Sequence, residues 1–379
     1  MGKNSERVDR KIKVLFLLEA FDKGGIEQVT LDIVNNLNPN KYDITIQTFW
    51  YGGHCQSLVN KNIKVLPLFL KKYIPGVIRL IEYMSPKMLY KLFIRGNYDV
   101  EIAASDGGAA KVISGSTNKK SKKICWVHMD VINRGSQLDE FQKVETAKKI
   151  YDKFDLIVPV SESCKEKFIE KFGNDYTYCV KKNPLPDEKI RLKSLENPAI
   201  SFNKEKFNFV CIGRLEEQKG FDRLIEACRK VCENTKKQFH VYIIGDGTLR
   251  GDLQKQIKQC DVKEQISLIG FQENPYAILK QADAFLLTSR DEAFPLVVGE
   301  SLIVGIPVIA TECCGVAEWL ENGKYGMIVE NSLEGIVRGM KTCLENQEIV
   351  NVYRNRISEN ESVLSFDKLL RDFEEILNV

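Results

Sequence analysis

Residues 11–37 read K-I-K-V-L-F-L-L-E-A-F-D-K-G-G-I-E-Q-V-T-L-D-I-V-N-N-L. The run from Lys11 to Leu18 is almost continuously apolar, as expected of a parallel strand buried on both faces. Gly24-Gly25 follows, and from Ile26 to Leu37 the apolar positions recur at helical spacing. Strand, glycine turn and helix in that order open a doubly wound α/β domain. The alternation continues with strands expected at Tyr42–Phe49, Ile63–Leu66, Val100–Ala104, Lys123–Val127 and Leu156–Val160. Pro184, Pro186 and Pro198 then fall in a charged, weakly periodic stretch from Asn183 to Phe207, which reads as a linker. The pattern restarts with strands expected at Phe209–Ile212, Val241–Ile244, Ile266–Ile269, Ala284–Leu287 and Val308–Ala310. The expected architecture is α/β. Residues 1–185 and 208–362 form two Rossmann-like, doubly wound parallel-sheet domains facing a cleft, joined by a linker at 186–207. Residues 363–379 carry Phe366, Leu369, Leu370, Phe373, Ile376 and Leu377 at helical spacing and are expected to pack as a helix on the first domain. In such folds ligands bind at the carboxyl ends of the strands.

Composition narrows the class. The chain has 379 residues, 44% hydrophobic and 28% charged, which suits a two-domain globular protein. No run of about 18 apolar residues is present, so no transmembrane helix is expected. Met1 to Arg10 is polar and lacks the apolar core of a signal sequence, which points to the cytoplasm. The 11 cysteines are irregularly spaced and accompanied by 3 histidines, so they read as reduced small hydrophobes, not as zinc ligands. Residues 1–183 hold 30 Lys+Arg against 21 Asp+Glu, about +9, and the remainder is about −6. A basic half suits an anionic membrane surface. No nucleic-acid motif accompanies it, and nucleic acid is not expected as a partner. Between Leu66 and Tyr98, Lys71, Lys72, Arg79, Lys87, Lys91 and Arg95 interleave with aromatic and aliphatic residues. That stretch reads either as a membrane-surface segment or as a core helix pair with snorkelling lysines.

The chemistry concentrates in Ser289–Pro307, S-R-D-E-A-F-P-L-V-V-G-E-S-L-I-V-G-I-P. Glu292 lies in a loop after a strand, and Glu300 about two turns into the following helix. A loop entering a helix presents unpaired N–H groups and the positive end of the helix dipole, a site for a diphosphate near Phe294, Pro295, Leu296 and Val297. Glu292 could then reach sugar hydroxyls, and Glu300 a ribose diol. Gly213–Phe221, G-R-L-E-E-Q-K-G-F, follows the first strand of the second half and carries Arg214 and Lys219. Fixed cations there would stabilise a departing diphosphate. No D-x-D occurs to hold a divalent metal, so no metal is expected. His128 and Asp130 end a strand in W-V-H-M-D.

The Ser289–Pro307 block resembles the E-x7-E signature of the family 4 glycosyltransferases, usually E-G-F-P-L followed by the second Glu; here Ala293 replaces the glycine. The resemblance extends over nearly the whole chain and implies a retaining, metal-independent enzyme of the GT-B fold, of bacterial surface-polysaccharide type. It would be a hexosyltransferase that uses no cofactor, its nucleotide-sugar donor, a UDP-sugar in first choice, being a substrate. It implies Glu292, His128, Arg214 and Lys219 as catalytic residues. Donor contacts would come from Gly25, Arg214, Lys219, Gly245, Phe271, Tyr276, Phe294, Pro295, Leu296, Val297 and Glu300. Asp130 is the acceptor-side candidate. The acceptor would be a saccharide or a lipid-linked saccharide. Two alternatives share much of this pattern: a nucleotide-sugar-binding protein without activity, and a UDP-sugar epimerase of the same fold.

Overall fold

A computed structural model describes residues 10–21, 24–69, 83–132, 144–359 and 365–378. Lys71, Lys72 and Arg79 of the basic segment lie outside the described residues. The chain divides into two compact units, one reaching to Pro184 and resuming at Asp367, the other Leu185–Phe366.

In the first unit, β1 (Ile12–Leu18), β2 (Tyr42–Trp50), β3 (Lys64–Phe69), β4 (Val100–Ala103), β5 (Lys122–Val127) and β6 (Leu156–Pro159) form one sheet, ordered β3-β2-β1-β4-β5-β6. Every pairing is parallel. Val14 to Leu18 are all buried, which is why the strand reads as a solid apolar run. The chain's last helix, Phe366–Glu374, places Phe373 against Phe16 and Trp126, with ring centroids 6.5 and 4.9 Å away. Lys181 pairs with Glu375 at 2.6 Å, and Lys122 Nζ donates to the Asn378 carbonyl at 2.9 Å.

The second unit repeats the plan. β7 (Phe207–Ile212), β8 (Phe239–Ile244), β9 (Ile266–Gly270), β10 (Ala284–Leu287), β11 (Val308–Thr311) and β12 (Gly326–Val329) run parallel in the order β12-β11-β10-β7-β8-β9. β12 is absent from the sequence expectation. It is four residues long, and Gly326 lies so close to β11 that a Cβ there would sit 2.3 Å from the Val308 carbonyl oxygen. The expected linker at 186–207 is corrected. Asp187–Ser194 is a helix of this unit, with Ile190 buried, and Phe202 stacks on Tyr242 at 3.9 Å. The prolines that read as breaks sit outside that short helix, and its own Leu192 and the Leu195 that follows it are exposed.

In each sheet the order reverses at one point: between β1 and β4, and between β7 and β10. Chain connections leave in opposite directions there, which opens a crevice at the carboxyl ends of the strands. The loops after β7 and β10 therefore hold the second unit's site.

Candidate functional site

The loop after β7 runs from Gly213 through a short 3-10 turn, Glu217–Lys219, to Gly220, and then enters the helix Phe221–Asn234. Gly220 has φ +64, and a Cβ would sit 2.2 Å from the Thr288 carbonyl oxygen, so only glycine fits this turn without strain. The turn aims Lys219 back over Gly213 toward the loop after β10. There its Nζ meets Glu292 Oε1 at 2.6 Å. The two side chains are only 16% and 11% exposed. Ser289 Oγ donates to the same Oε1 at 2.7 Å, and Thr288 Oγ1 donates to the Lys219 carbonyl at 2.9 Å. A cation and a carboxylate thus face each other across the switch point of the sheet.

Further bonds fix the two loops. The Arg290 guanidinium grips Asp222 with two bonds, 2.8 and 2.6 Å, and donates to the Glu217 carbonyl at 2.7 Å. Burial pushes the Asp222 carboxyl up, and the Arg290 bonds outweigh it, so its pKa falls below the ordinary value. Arg223 donates to the Thr288 carbonyl at 2.8 Å and to Asn331 Oδ1 at 2.9 Å. Arg214 differs from Lys219. It is exposed, and among the described residues no group forms a hydrogen bond or ion pair with its guanidinium.

After Glu292 the chain buries Ala293 and Phe294, which stacks on Trp319 at 4.5 Å, and then enters the helix Leu296–Val304. Pro295 is the N-cap and supplies no side-chain bond to the first turn, so that helix end keeps its unfilled N–H groups. Glu300 lies in this helix and accepts from the Tyr276 hydroxyl at 3.1 Å. Tyr276 belongs to the helix Pro275–Leu279, which Asn274 caps. Gly245, at the end of β8, has φ +143, and a Cβ would sit 1.9 Å from the Gly213 carbonyl oxygen. The loops after β7 and β8 are thus in main-chain contact. Phe271, following β9, is 55% exposed. Cys313 donates to the Ser289 carbonyl at 3.3 Å; burial pushes its thiol up to about 12, so it remains protonated beside the site.

In the first unit Gly25 is exposed at the start of the helix Gly25–Asn36. His128 follows β5 with its ring 4.3 Å from that of Trp126. Burial lowers its pKa to about 3, so the ring is neutral near pH 7. Its Nε2 is buried and has no partner among the described residues. The acceptor-side reading of Asp130 is corrected: the side chain is 1% exposed, paired with Lys167 at 2.5 Å, and accepts from the Ile132 amide at 3.1 Å. It braces the loop after β5 and has little surface to offer a ligand.

Residues 193–362 match the family described as "Glycosyl transferases group 1". A Campylobacter jejuni protein named N-acetylgalactosamine-N,N'-diacetylbacillosaminyl-diphospho-undecaprenol 4-alpha-N-acetylgalactosaminyltransferase is 30% identical, over 59% of this chain and 60% of its own length. An uncharacterized glycosyltransferase of Haemophilus influenzae is 25% identical over 96% of this chain and 98% of its own. Among solved structures, Anabaena HepE in complex with UDP and glucose superimposes with a TM-score of 0.74 at 18% identity, covering 97% of this chain and 99% of HepE. The chain has the GT-B fold of these solved structures.

Within the second unit, the structure brings together Lys219 with Glu292 and Tyr276 with Glu300. The sequence reading passed over Ser289, Arg223, Arg290 and Trp319. Ser289 carried a usable signal, since it stands three residues before Glu292 in the decisive block. The others act through partners far away in the chain, such as Asn331 and Phe294, and no local pattern marks them. Among the described residues no group of three or more His, Cys, Asp or Glu is placed to hold a metal ion, and no helix is long and apolar enough to cross a membrane.

Proposed function

We propose that this protein is a glycosyltransferase that moves a hexose from a nucleotide-sugar, a UDP-sugar in first choice, to a saccharide or lipid-linked saccharide of cell-surface polysaccharide synthesis. Transfer proceeds with retention of configuration and without a metal ion or other cofactor. The observation that carries the proposal is the Lys219–Glu292 bridge at the switch point, beside an uncapped helix start. An arriving diphosphate draws Lys219 away from Glu292. Arg214 and the first-turn N–H groups of Leu296 and Val297 share the phosphate charge. Glu292, still held by Ser289, then accepts hydrogen bonds from the donor sugar. Glu300 binds the ribose diol beside Tyr276, and Gly245 and Phe271 border the base.

The bond from the anomeric carbon to the phosphate oxygen breaks, and the acceptor oxygen bonds that carbon on the same face. The acceptor proton leaves with the diphosphate oxygen. Cations and helix amides lower the barrier by stabilising charge that grows on the leaving group, which is where fixed dipoles act most strongly. Neutral His128 shapes the sugar site, and Gly25 allows close main-chain approach. The UDP in the HepE complex and the diphospho-undecaprenol in the Campylobacter enzyme's name support the donor and acceptor classes. Association with an anionic membrane surface on the cytoplasmic side is supported by the helix Pro86–Phe93, where Met88 and Leu92 are exposed beside Lys87 and Lys91.

Thermal unfolding with UDP, GDP or ADP, each with and without EDTA, tests the donor and the metal together. A ligand bound only by the folded protein raises the transition temperature. A rise with UDP alone, unaffected by EDTA, supports the proposal. No rise at millimolar nucleotide removes the assignments of Lys219 and Glu292.

A further inference from the structure

Glu292 reaches the switch point on a segment, residues 288–292, that belongs to neither a helix nor a strand. Main-chain carbonyls outside regular structure turn to water or to side chains. Here four in succession accept from side chains, each from a different element. Thr288 accepts from Arg223 Nη2 at 2.8 Å, on the helix Phe221–Asn234. Ser289 accepts from Thr311 Oγ1 at 2.7 Å, at the end of β11. Arg290 accepts from Asn331 Nδ2 at 2.8 Å, just beyond β12. Asp291 accepts from Gln218 Nε2 at 2.9 Å, in the 3-10 turn that ends in Lys219. Asn331 makes further bonds. Its Nδ2 also donates to the Glu312 carbonyl at 3.1 Å, and its Oδ1 accepts from Arg223 Nη2 at 2.9 Å. One hydrogen of that Arg223 nitrogen thus goes to Thr288 and the other to Asn331. Arg223 and Asn331 close a ring of hydrogen bonds across residues 288–290, and Ser289, whose Oγ donates to Glu292, is the residue in between.

We propose that Asn331, backed by Arg223, is a positioning residue for sugar transfer: it fixes the main chain of residues 288–291 so that Ser289 holds the Glu292 carboxylate where the donor sugar binds. The inference rests on the reading of Glu292 as the donor-sugar contact. Among the described residues the Asn331 side chain bonds only to the Arg290 and Glu312 carbonyls, Cys313 Sγ and Arg223, groups at or beside the carboxyl ends of β10 and β11. It is half-buried and adds nothing to the apolar core. An apolar side chain of the same size would fill its place but leave the carbonyls unheld and the segment free to shift. A shift of about 1 Å in a reacting group can cost about 100-fold in rate. Phosphate affinity is held elsewhere, on Lys219, Arg214 and the helix start at Leu296, so effects on rate and on UDP binding separate.

The assay is release of UDP, with water as acceptor, from UDP-glucose, UDP-galactose, UDP-N-acetylglucosamine and UDP-N-acetylgalactosamine; the fastest donor is carried through the variants. Asn331→Leu removes every bond of the side chain. Asn331→Asp keeps the acceptor for Arg223 but loses the donors to the Arg290 and Glu312 carbonyls. Both should lower kcat by about 10- to 100-fold, with donor KM and calorimetric UDP affinity within about threefold of the parent's. The transition temperature should stay within a few degrees. In a Glu292→Gln background the same substitutions should change kcat by less than about threefold, because the carboxylate they position is gone. A kcat that neither variant changes overturns the proposal. So does an equal loss in the two backgrounds, which marks Asn331 as ordinary support of the fold, and so does UDP affinity that falls as far as kcat. Asn331→Asp at the parent's rate removes the two carbonyl bonds as the cause, and the proposal with them. If Asn331→Leu does not fold, Asn331→Asp carries the comparison. A parent that releases UDP from none of these donors removes the donor reading and this inference with it. A parent that does so while the Asn331 variants match it overturns this inference alone.

Discussion

Replacing Lys219 by Met removes the cation that Glu292 faces in the unliganded enzyme, and the structure lets three consequences be separated. At about 3 Å and an effective dielectric constant of about 20, the attraction is about 5 kcal/mol before solvation is counted. Loss of water by two groups that are 16% and 11% exposed offsets much of it. Breaking a fully buried pair from one side costs about 3–5 kcal/mol. Here Ser289 still donates to the orphaned carboxylate, so Lys219→Met should cost about 1–3 kcal/mol of stability in urea unfolding. Adding Glu292→Gln removes the stranded charge and should return stability to within about 1 kcal/mol of the parent. Affinity should not recover. A charged hydrogen bond to phosphate contributes about 1.5–3 kcal/mol, so calorimetry should find UDP binding about 10- to 150-fold weaker in both variants. Glu292→Gln alone frees Lys219 from competition. It should bind UDP a few-fold more tightly, while sugar transfer falls by about 100-fold or more. Equal UDP affinity in Lys219→Met and the parent refutes the phosphate assignment. A double variant as unstable as the single one refutes the pairing energetics, and weaker UDP binding by Glu292→Gln refutes the exchange of partners.

Glu300→Ala should weaken UDP about tenfold while leaving 2′,3′-dideoxy-UDP nearly unchanged, because only the former offers a ribose diol; calorimetry with both nucleotides checks it. Gly245→Ala forces a Cβ to within 1.9 Å of the Gly213 carbonyl at φ +143. It should cost about 2–4 kcal/mol in urea unfolding, as strained backbone and steric overlap do. His128 has a folded pKa of about 3, below its unfolded value near 6.5, so the unfolded chain binds the extra proton between those limits. Stability from this group is therefore complete above about pH 6.5 and lost as pH falls toward 3. His128→Asn removes this contribution, so the parent-minus-variant stability difference should fall by about 1–3 kcal/mol as pH drops from about 6.5 toward 3. Phe373→Ala should cost about 3–5 kcal/mol and loosen the tail helix, seen by faster amide exchange after residue 366.

How far the site can be read without coordinates depends on whether cause and effect are close in the chain. Lys11 to Leu18 announces a parallel strand because burial on both faces leaves no alternation to find. The repeat of strand and helix then fixes two α/β units. Glu292, Glu300 and the helix between them are legible because their relation is set by a few consecutive residues and the geometry of one helix turn. Lys219 with Glu292 is a different case. Both lie in recognisable loops, yet their meeting depends on β7 and β10 being neighbours, a fact of sheet order and not of either motif. Asp130 shows the failure in the other direction. Two residues beyond His128 it looks like a ligand contact, but Lys167, on a helix reached only after β6, turns it into a brace. The misread linker has the same origin: prolines mark where regular structure stops locally, whereas the helix Asp187–Ser194 is held by what it packs on. Roles that rest on a charged side chain at a strand end therefore call for the partner's position before they are assigned. Arg214 and Lys219, alike in sequence, already differ: one is exposed and unpaired among the described residues, the other is paired with Glu292 at 2.6 Å.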